Sequence, residues 1–352
     1  MRLFFRLFRP VPLGLSSLVL LFALGCGGRS APPSGPTPIR IGYPTTALIN
    51  GQIGQVFERT DVLKRHGLAA TVTGFTYGAP LTEALAAGQI DVSLISEGPA
   101  AQVIAKKVPA KVIASLGEGD VRFGLLVRGD SALKTVADLK GKSVAVPFGS
   151  TPHLRLVHWI EEAGMKPEAD VKLVNLGPGE LEPALAAGNV DAIVYWEPNV
   201  SQIAERLGAR VVIEGRYRVA VVMRREFLEA HRDAASRFLA AMREAALYMA
   251  THQQQVDAWF AQASQVDPAL IHRASLYTPA YSQVKTLGEV DLGLTPAMLE
   301  TLQQSADFYA QLQREAKPAD MGKAVDLKLW EEAKGKVDAA GFDVGSIQVV
   351  KK

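Results

Sequence analysis

The chain has 352 residues, with 38 Lys and Arg against 36 Asp and Glu, and a single cysteine. One cysteine excludes an intramolecular disulfide and a multi-cysteine zinc site. A formal charge of +2 lacks the basic footprint of a nucleic-acid binder, and a chain of this length exceeds what one hydrophobic core usually supports, so two lobes are expected.

Residues 1–25 read as a targeting segment. Arg2, Arg6 and Arg9 precede an apolar stretch, Val11–Ala23, that is interrupted by Pro and Gly and too short for a span of about 20 residues. The run Ala23-Leu-Gly-Cys26 is similar to a bacterial lipoprotein signal, in which the cysteine becomes the lipid-modified first residue. Removing this leader takes three arginines and no acids, so the charge becomes 35 − 36 = −1; the basic balance belongs to the leader. Residues 26–38, which include SAPPSGPTP, read as an extended tether.

From Ile39 the pattern alternates between strand and helix. Strands are expected at Ile39–Tyr43, Ala70–Phe75, Lys111–Leu116, Phe123–Arg128, Ser143–Pro147, Lys172–Leu176 and Val219–Arg224, with a polar EGD turn after Leu116. Helices are expected over Gln52–His66, Val136–Leu139 and from Ser150 to Gly164. After Phe227 the pattern is almost wholly helical: Phe227–Met249, Val256–Ala263, Ala269–Ser275, Pro296–Glu315 and Leu327–Lys336. Such alternation implies α/β lobes with mostly parallel sheets.

One stretch occurs twice. Leu81–Ile113 and Leu181–Ile213 align without a gap, and eleven of the thirty-three positions are identical, including ALAAG-x-x-D in both. Each copy reads as a helix ending at a left-handed glycine (Gly88, Gly188), an Asp, an apolar strand, a loop and a second helix. The spacing is too long for a solenoid, so it indicates two similar lobes.

Enzyme signatures are absent. No G-x-S-x-G or H-E-x-x-H occurs, Gly141-Lys142-Ser143 lacks the upstream glycine of a phosphate loop, and the six histidines are scattered. No metal site and no cofactor is expected. The positive signal is FGSTPH, Phe148–His153, where Gly149, Ser150 and Thr151 deliver a strand to a helix start. Unpaired N–H groups and the helix dipole there suit an anion, although an ordinary helix cap has the same residues. Trp196-Glu197-Pro198 and Ser96-Glu97-Gly98 end the two repeat strands, the place where open α/β sheets bind ligands.

DSALKTVADLKGKSVAVPFGSTPH (130–153) and ALAAGNVDAIVYWEP (184–198) resemble runs of the periplasmic substrate-binding proteins of ABC importers, in the branch for nitrate, sulfonates, taurine and pyrimidine thiamine precursors. The resemblance implies a two-lobe periplasmic-binding-protein type II fold: residues 39–126 and 222–352 as lobe 1 with the C-terminal helices, 127–221 as lobe 2, with Phe123–Arg128 and Val219–Arg224 as hinge strands. It also implies cleft residues Thr45, Thr46, Tyr77, Gly78, Ser96, Glu97, Gly149, Ser150, Thr151, His153, Trp196 and Glu197. The function so implied is a lipid-anchored, monomeric solute receptor outside the cytoplasmic membrane. It would deliver an organosulfonate or taurine to an ABC permease and its ATPase, without catalysis. A pyrimidine precursor and nitrate are the alternative ligands. A sensor without an importer, or an enzyme on the same fold, is the rival class. Tyr77 stands where the sulfonate branch usually has a small hydroxyl residue.

Overall fold

The computed structural model describes residues 35–276, 283–315, 317–338 and 343–350. The expected leader, Cys26, the tether up to residue 34 and the stretch Thr278–Tyr281 lie outside the described residues. From the N-terminus run β1 (Thr37–Pro44), α1 (Leu48–Arg59), α2 (Val62–Arg65), β2 (Leu68–Phe75), α3 (Gly78–Ala86), β3 (Val92–Ser96), α4 (Glu97–Ala105) and β4 (Ala110–Val127). Then come β5 (Ser143–Val146), α5 (Thr151–Glu162), β6 (Lys172–Asn175), α6 (Pro178–Ala186), β7 (Ala192–Trp196), α7 (Asn199–Leu207) and β8 (Arg210–Arg224). Helices follow: α8 (Arg225–Ala230), α9 (Arg232–Thr251), α10 (Gln253–Ser264), α11 (Pro268–Leu276), α12 (Pro296–Gln313), α13 (Met321–Ala324) and α14 (Lys328–Asp338). Among the described residues no helix is long and apolar enough to cross a membrane.

The repeat is a structural duplication. α3, β3 and the start of β4 recur one hundred residues later as α6, β7 and the start of β8. Gly88 and Gly188 both adopt the left-handed conformation, at φ 70° and 71°, where a side chain would be strained. The repeated aspartate does the same work twice. The Asp91 carboxylate accepts from the Arg40 N–H (2.9 Å) and Asp191 from the Ser143 N–H (2.8 Å), each pinning its strand to the parallel neighbour β1 or β5.

Strand order is β2-β1-β3-β8-β4-β7-β5-β6. Under the repeat this order is a palindrome, and it contains an exchange. β8, which follows the second copy, pairs antiparallel with β3 of the first, and β4, which follows the first copy, pairs with β7 of the second. β4 and β8 also pair with each other along most of their length. The chain thus has the two-lobe fold with a mixed sheet: parallel pairs at the outside, antiparallel pairs where the long strands cross.

Three expectations need correction. The EGD segment is not a turn but lies within β4, as an irregularity between two stretches that β8 pairs: the register goes from Leu116 opposite Val219 to Val121 opposite Tyr217. The helix expected over Gln52–His66 starts earlier, at Leu48, and is broken at Thr60, whose hydroxyl bonds back to the Val56 carbonyl (2.7 Å). The helix over Phe227–Met249 divides at His231. The C-terminal helices return to the first half: α9 packs against α1, α2 and β2, and α12 against α4.

Asp191 supplies a prediction. Partial burial alone would raise its carboxyl, but hydrogen bonds from the Ser143 N–H and hydroxyl and the Lys142 charge hold it below the usual range. Asp191→Ala should cost about 1 kcal/mol at neutral pH for this partly exposed group, measured by urea unfolding. A depressed carboxyl stabilises above its unfolded pKa and loses that contribution as pH falls through the folded value, so the difference from wild type should shrink below about pH 4.

Candidate functional site

The C-terminal ends of β1, β3, β5 and β7 and the start of β8's crossing stretch meet around a cavity of about 30 Å³. Its lining includes Ala47, Asn50, Tyr77, Ser96, Ser150, Trp196 and Tyr217, and among the described residues no charged side chain. Four helices start on it. The residues preceding the first turns of α1, α3, α4 and α5 are Ala47, Tyr77, Ser96 and Ser150. Only Ser150 caps its helix with a side chain, accepting from the His153 N–H at 3.2 Å. Each helix start contributes the positive end of a dipole, so four converge on a space that no formal charge of the described residues occupies, although the Gly98 and His153 N–H groups are already taken by Thr151 Oγ1 and Ser150 Oγ.

Of the expected residues, Tyr77, Gly78, Ser96, Ser150 and Trp196 line this cavity. The others hold its walls. Thr45 and Thr46 donate to the Phe75 and Thr76 carbonyls (3.1 and 2.7 Å), tying the loop after β1 to the end of β2. Gly149 turns from β5 into α5 at φ 76°. His153 stacks on Phe148 (4.2 Å between centroids), and burial pushes it down to about 4, so it stays neutral at pH 7.

At this cavity three hydrogen bonds join loops of the first half to loops of the second. The Trp196 indole N–H donates to the Thr46 carbonyl (2.9 Å). Thr151 Oγ1 donates to Ser96 Oγ (3.0 Å) and accepts from the Gly98 N–H (3.2 Å). The structure is therefore closed, and a solute larger than a water or two enters this cavity only when these bonds open.

Neither expected carboxylate faces the cavity. Glu197 accepts from the Ser201 N–H and hydroxyl (3.1 and 2.9 Å) and pairs with Arg122 (3.1 Å), so it serves the start of α7; burial raises its carboxyl above the usual range. Glu97 accepts from the Arg218 N–H (2.8 Å), and burial pushes it up to about 7. It faces a second, larger cavity of about 650 Å³ between α5 and α12, which also holds Arg155, Arg216 and Arg218. Alternation along β8 sends Tyr217 to the first cavity and its two arginine neighbours to the second.

Asn50 and Tyr217 are site residues that sequence reasoning missed. Tyr217 is the lone aromatic of β8, flanked by arginines, and Asn50 stands in the first turn after the Thr45-Thr46 loop; these placements were the available signals. Among the described residues no group of His, Cys, Asp and Glu could hold a metal.

Residues 33–263 match the NMT1-like family. The chain belongs to that family. The NMT1-like chain is 26% identical over 318 residues to a putative aliphatic sulfonates-binding protein of Bacillus subtilis, covering 88% of this chain and 92% of the relative. It is 30% identical over 140 residues to a taurine-binding periplasmic protein of Escherichia coli, covering 40% and 43%. The alkanesulfonate-binding protein SsuA from Xanthomonas axonopodis pv. citri, bound to MOPS, has the same fold, with a TM-score of 0.71 and 24% identity over 83% of this chain and 99% of that one. The resemblance to the nitrate, sulfonate and taurine branch of substrate-binding proteins therefore holds.

Closure leaves no room at Gly98. A Cβ there would lie 2.7 Å from Thr151 Oγ1 and 3.2 Å from the Thr151 backbone. Gly98→Ala should lower unfolding stability by about 1–3 kcal/mol, whereas Gly179→Ala, which meets nothing within 4 Å, should leave it within about 0.5 kcal/mol. Chemical denaturation of the two variants checks this.

Proposed function

We propose that this chain is an extracytoplasmic solute-binding protein that captures a small organic oxyanion, an organosulfonate or taurine, and presents it to an ABC permease and its ATPase. The observation that carries the reading is the convergence of four helix N-termini on one cavity without a charged side chain. Such N–H groups and dipoles hold an anion without a cation. Trp196 and Tyr77 supply apolar faces for the organic part. The names of the relatives support the same ligand class.

In this reading the protein works as a monomer, held to the membrane through a lipid on Cys26 after leader cleavage, and performs no chemistry on its solute. The lobes divide near the 126/127 and 221/222 boundaries, a few residues from where β4 and β8 change partners. Motion about that crossing opens and closes the cavity.

A second reading, nitrate, is favoured by the cavity's size of about 30 Å³. A pyrimidine precursor has less support, because no carboxylate lines the cavity to receive its ring N–H groups.

Thermal unfolding of the chain from Gly27 onward, against taurine, ethanesulfonate, nitrate and an aminopyrimidine, tests the assignment. A true ligand at about 100 times its Kd should add about 2.7 kcal/mol. A shift with a sulfonate or taurine that Ser150→Ala weakens supports the main reading. A shift with nitrate alone selects the second, and no shift with any anion removes both.

A further inference from the structure

Two buried polar atoms on this cavity have no partner among the described residues. Asn50 is 1% exposed, and its Nδ2 donates to the Leu94 carbonyl at 3.1 Å, leaving Oδ1 unpaired. The Leu94 oxygen can only accept, so the amide's orientation is fixed and Oδ1 is what remains for the cavity. Tyr217 is 4% exposed, and its hydroxyl has no partner. Buried polar groups are nearly always paired, and two orphans on one small cavity mark what an occupant must supply.

Their demands are opposite. Asn50 Oδ1 is an acceptor and needs a donor. The Tyr217 hydroxyl keeps its proton, because burial first and then the Glu97 and Glu197 charges raise its pKa; it offers that proton to an acceptor. A sulfonate oxygen answers Tyr217. A simple alkanesulfonate has nothing for Asn50.

The donor is better neutral than charged. Four helix N-termini place positive potential on the cavity, and no carboxylate lines it, Glu97 and Glu197 both facing elsewhere. An ammonium would find no carboxylate on the cavity wall to pair with, the Glu97 and Glu197 charges acting only from beyond it, whereas a hydroxyl needs no counter-charge. We infer that the cavity selects a hydroxyl-bearing organosulfonate, with Tyr217 Oη on a sulfonate oxygen and Asn50 Oδ1 on the hydroxyl. The inference rests on the sulfonate reading of the same site and narrows it.

Three ligands of nearly equal size separate the terms: 2-hydroxyethanesulfonate, ethanesulfonate and taurine, titrated calorimetrically into the protein. The hydroxyl compound should bind about tenfold or more tighter than ethanesulfonate, which corresponds to about 1.4 kcal/mol or more, and tighter than taurine. Asn50→Leu should bring the hydroxyl compound down to the level of ethanesulfonate. Tyr217→Phe, which removes only the unpaired oxygen, should weaken both compounds by a similar factor and keep their ratio. If Asn50→Leu does not fold, the wild-type ratio and Tyr217→Phe carry the test. Equal affinity for the hydroxyl and ethyl compounds overturns the inference while leaving the sulfonate reading intact; it would mean that a water satisfies Asn50. Tighter binding of taurine overturns the preference for a neutral donor. Failure of all three sulfonates overturns the sulfonate reading, and this inference with it.

Discussion

The antiparallel pairing of β4 with β8 is the constraint on which the other features depend. Each long strand starts in one repeat copy and finishes beside the repeat strand of the other. Neither half can complete its sheet alone, since β3 needs β8 and β7 needs β4. The exchange gives two similar α/β halves a shared ribbon, and the register slip between Leu116 and Val121 falls where that ribbon passes from one to the other. The outer strands are carried rigidly on each side, and the strand ends that bear loops and helix starts are brought face to face.

What those ends present is polar but uncharged. Thr45, Thr46 and Ser150 spend their hydroxyls on backbone carbonyls and Thr151 spends its own on Ser96, so the polar atoms left over on the walls are those of Asn50 and Tyr217. Charged groups are sorted away from the cavity: Glu197 to Arg122 and the start of α7, and Glu97 with three arginines to the far side of the ribbon. The separation comes from strand alternation at Arg216-Tyr217-Arg218, which turns one aromatic to one side and two cations to the other. In the proposed reading, anion affinity then falls to helix dipoles, which act at short range and cost no buried ion.

Local determinants were legible in the sequence. The left-handed glycines Gly88 and Gly188, the repeated Asp and the Ser150 cap are set by chemistry within a few residues, and FGSTPH reads correctly as a helix start. The strand exchange was not legible, because it depends on which distant strand completes each sheet; the polar EGD run reads as a turn because it falls in the irregularity between two stretches of β4 that only β8 pairs. The roles of Glu97 and Glu197 were misjudged for a related reason: position at a strand end is local, but the direction of a side chain depends on the residues packed around it. Asn50 and Tyr217 carry no motif beyond their placement, and a buried polar atom left unpaired on each is what marks them.

A crystal structure of the protein with an organosulfonate bound tests the central claim most directly. The account predicts the sulfonate among the N-termini of α1, α3 and α5, with its oxygens on backbone N–H groups that no side chain takes and on the Tyr217 hydroxyl, and the organic part against Trp196. A sulfonate held instead by Arg155, Arg216 and Arg218 in the larger cavity would contradict it, and would assign anion capture to guanidinium groups in place of helix starts.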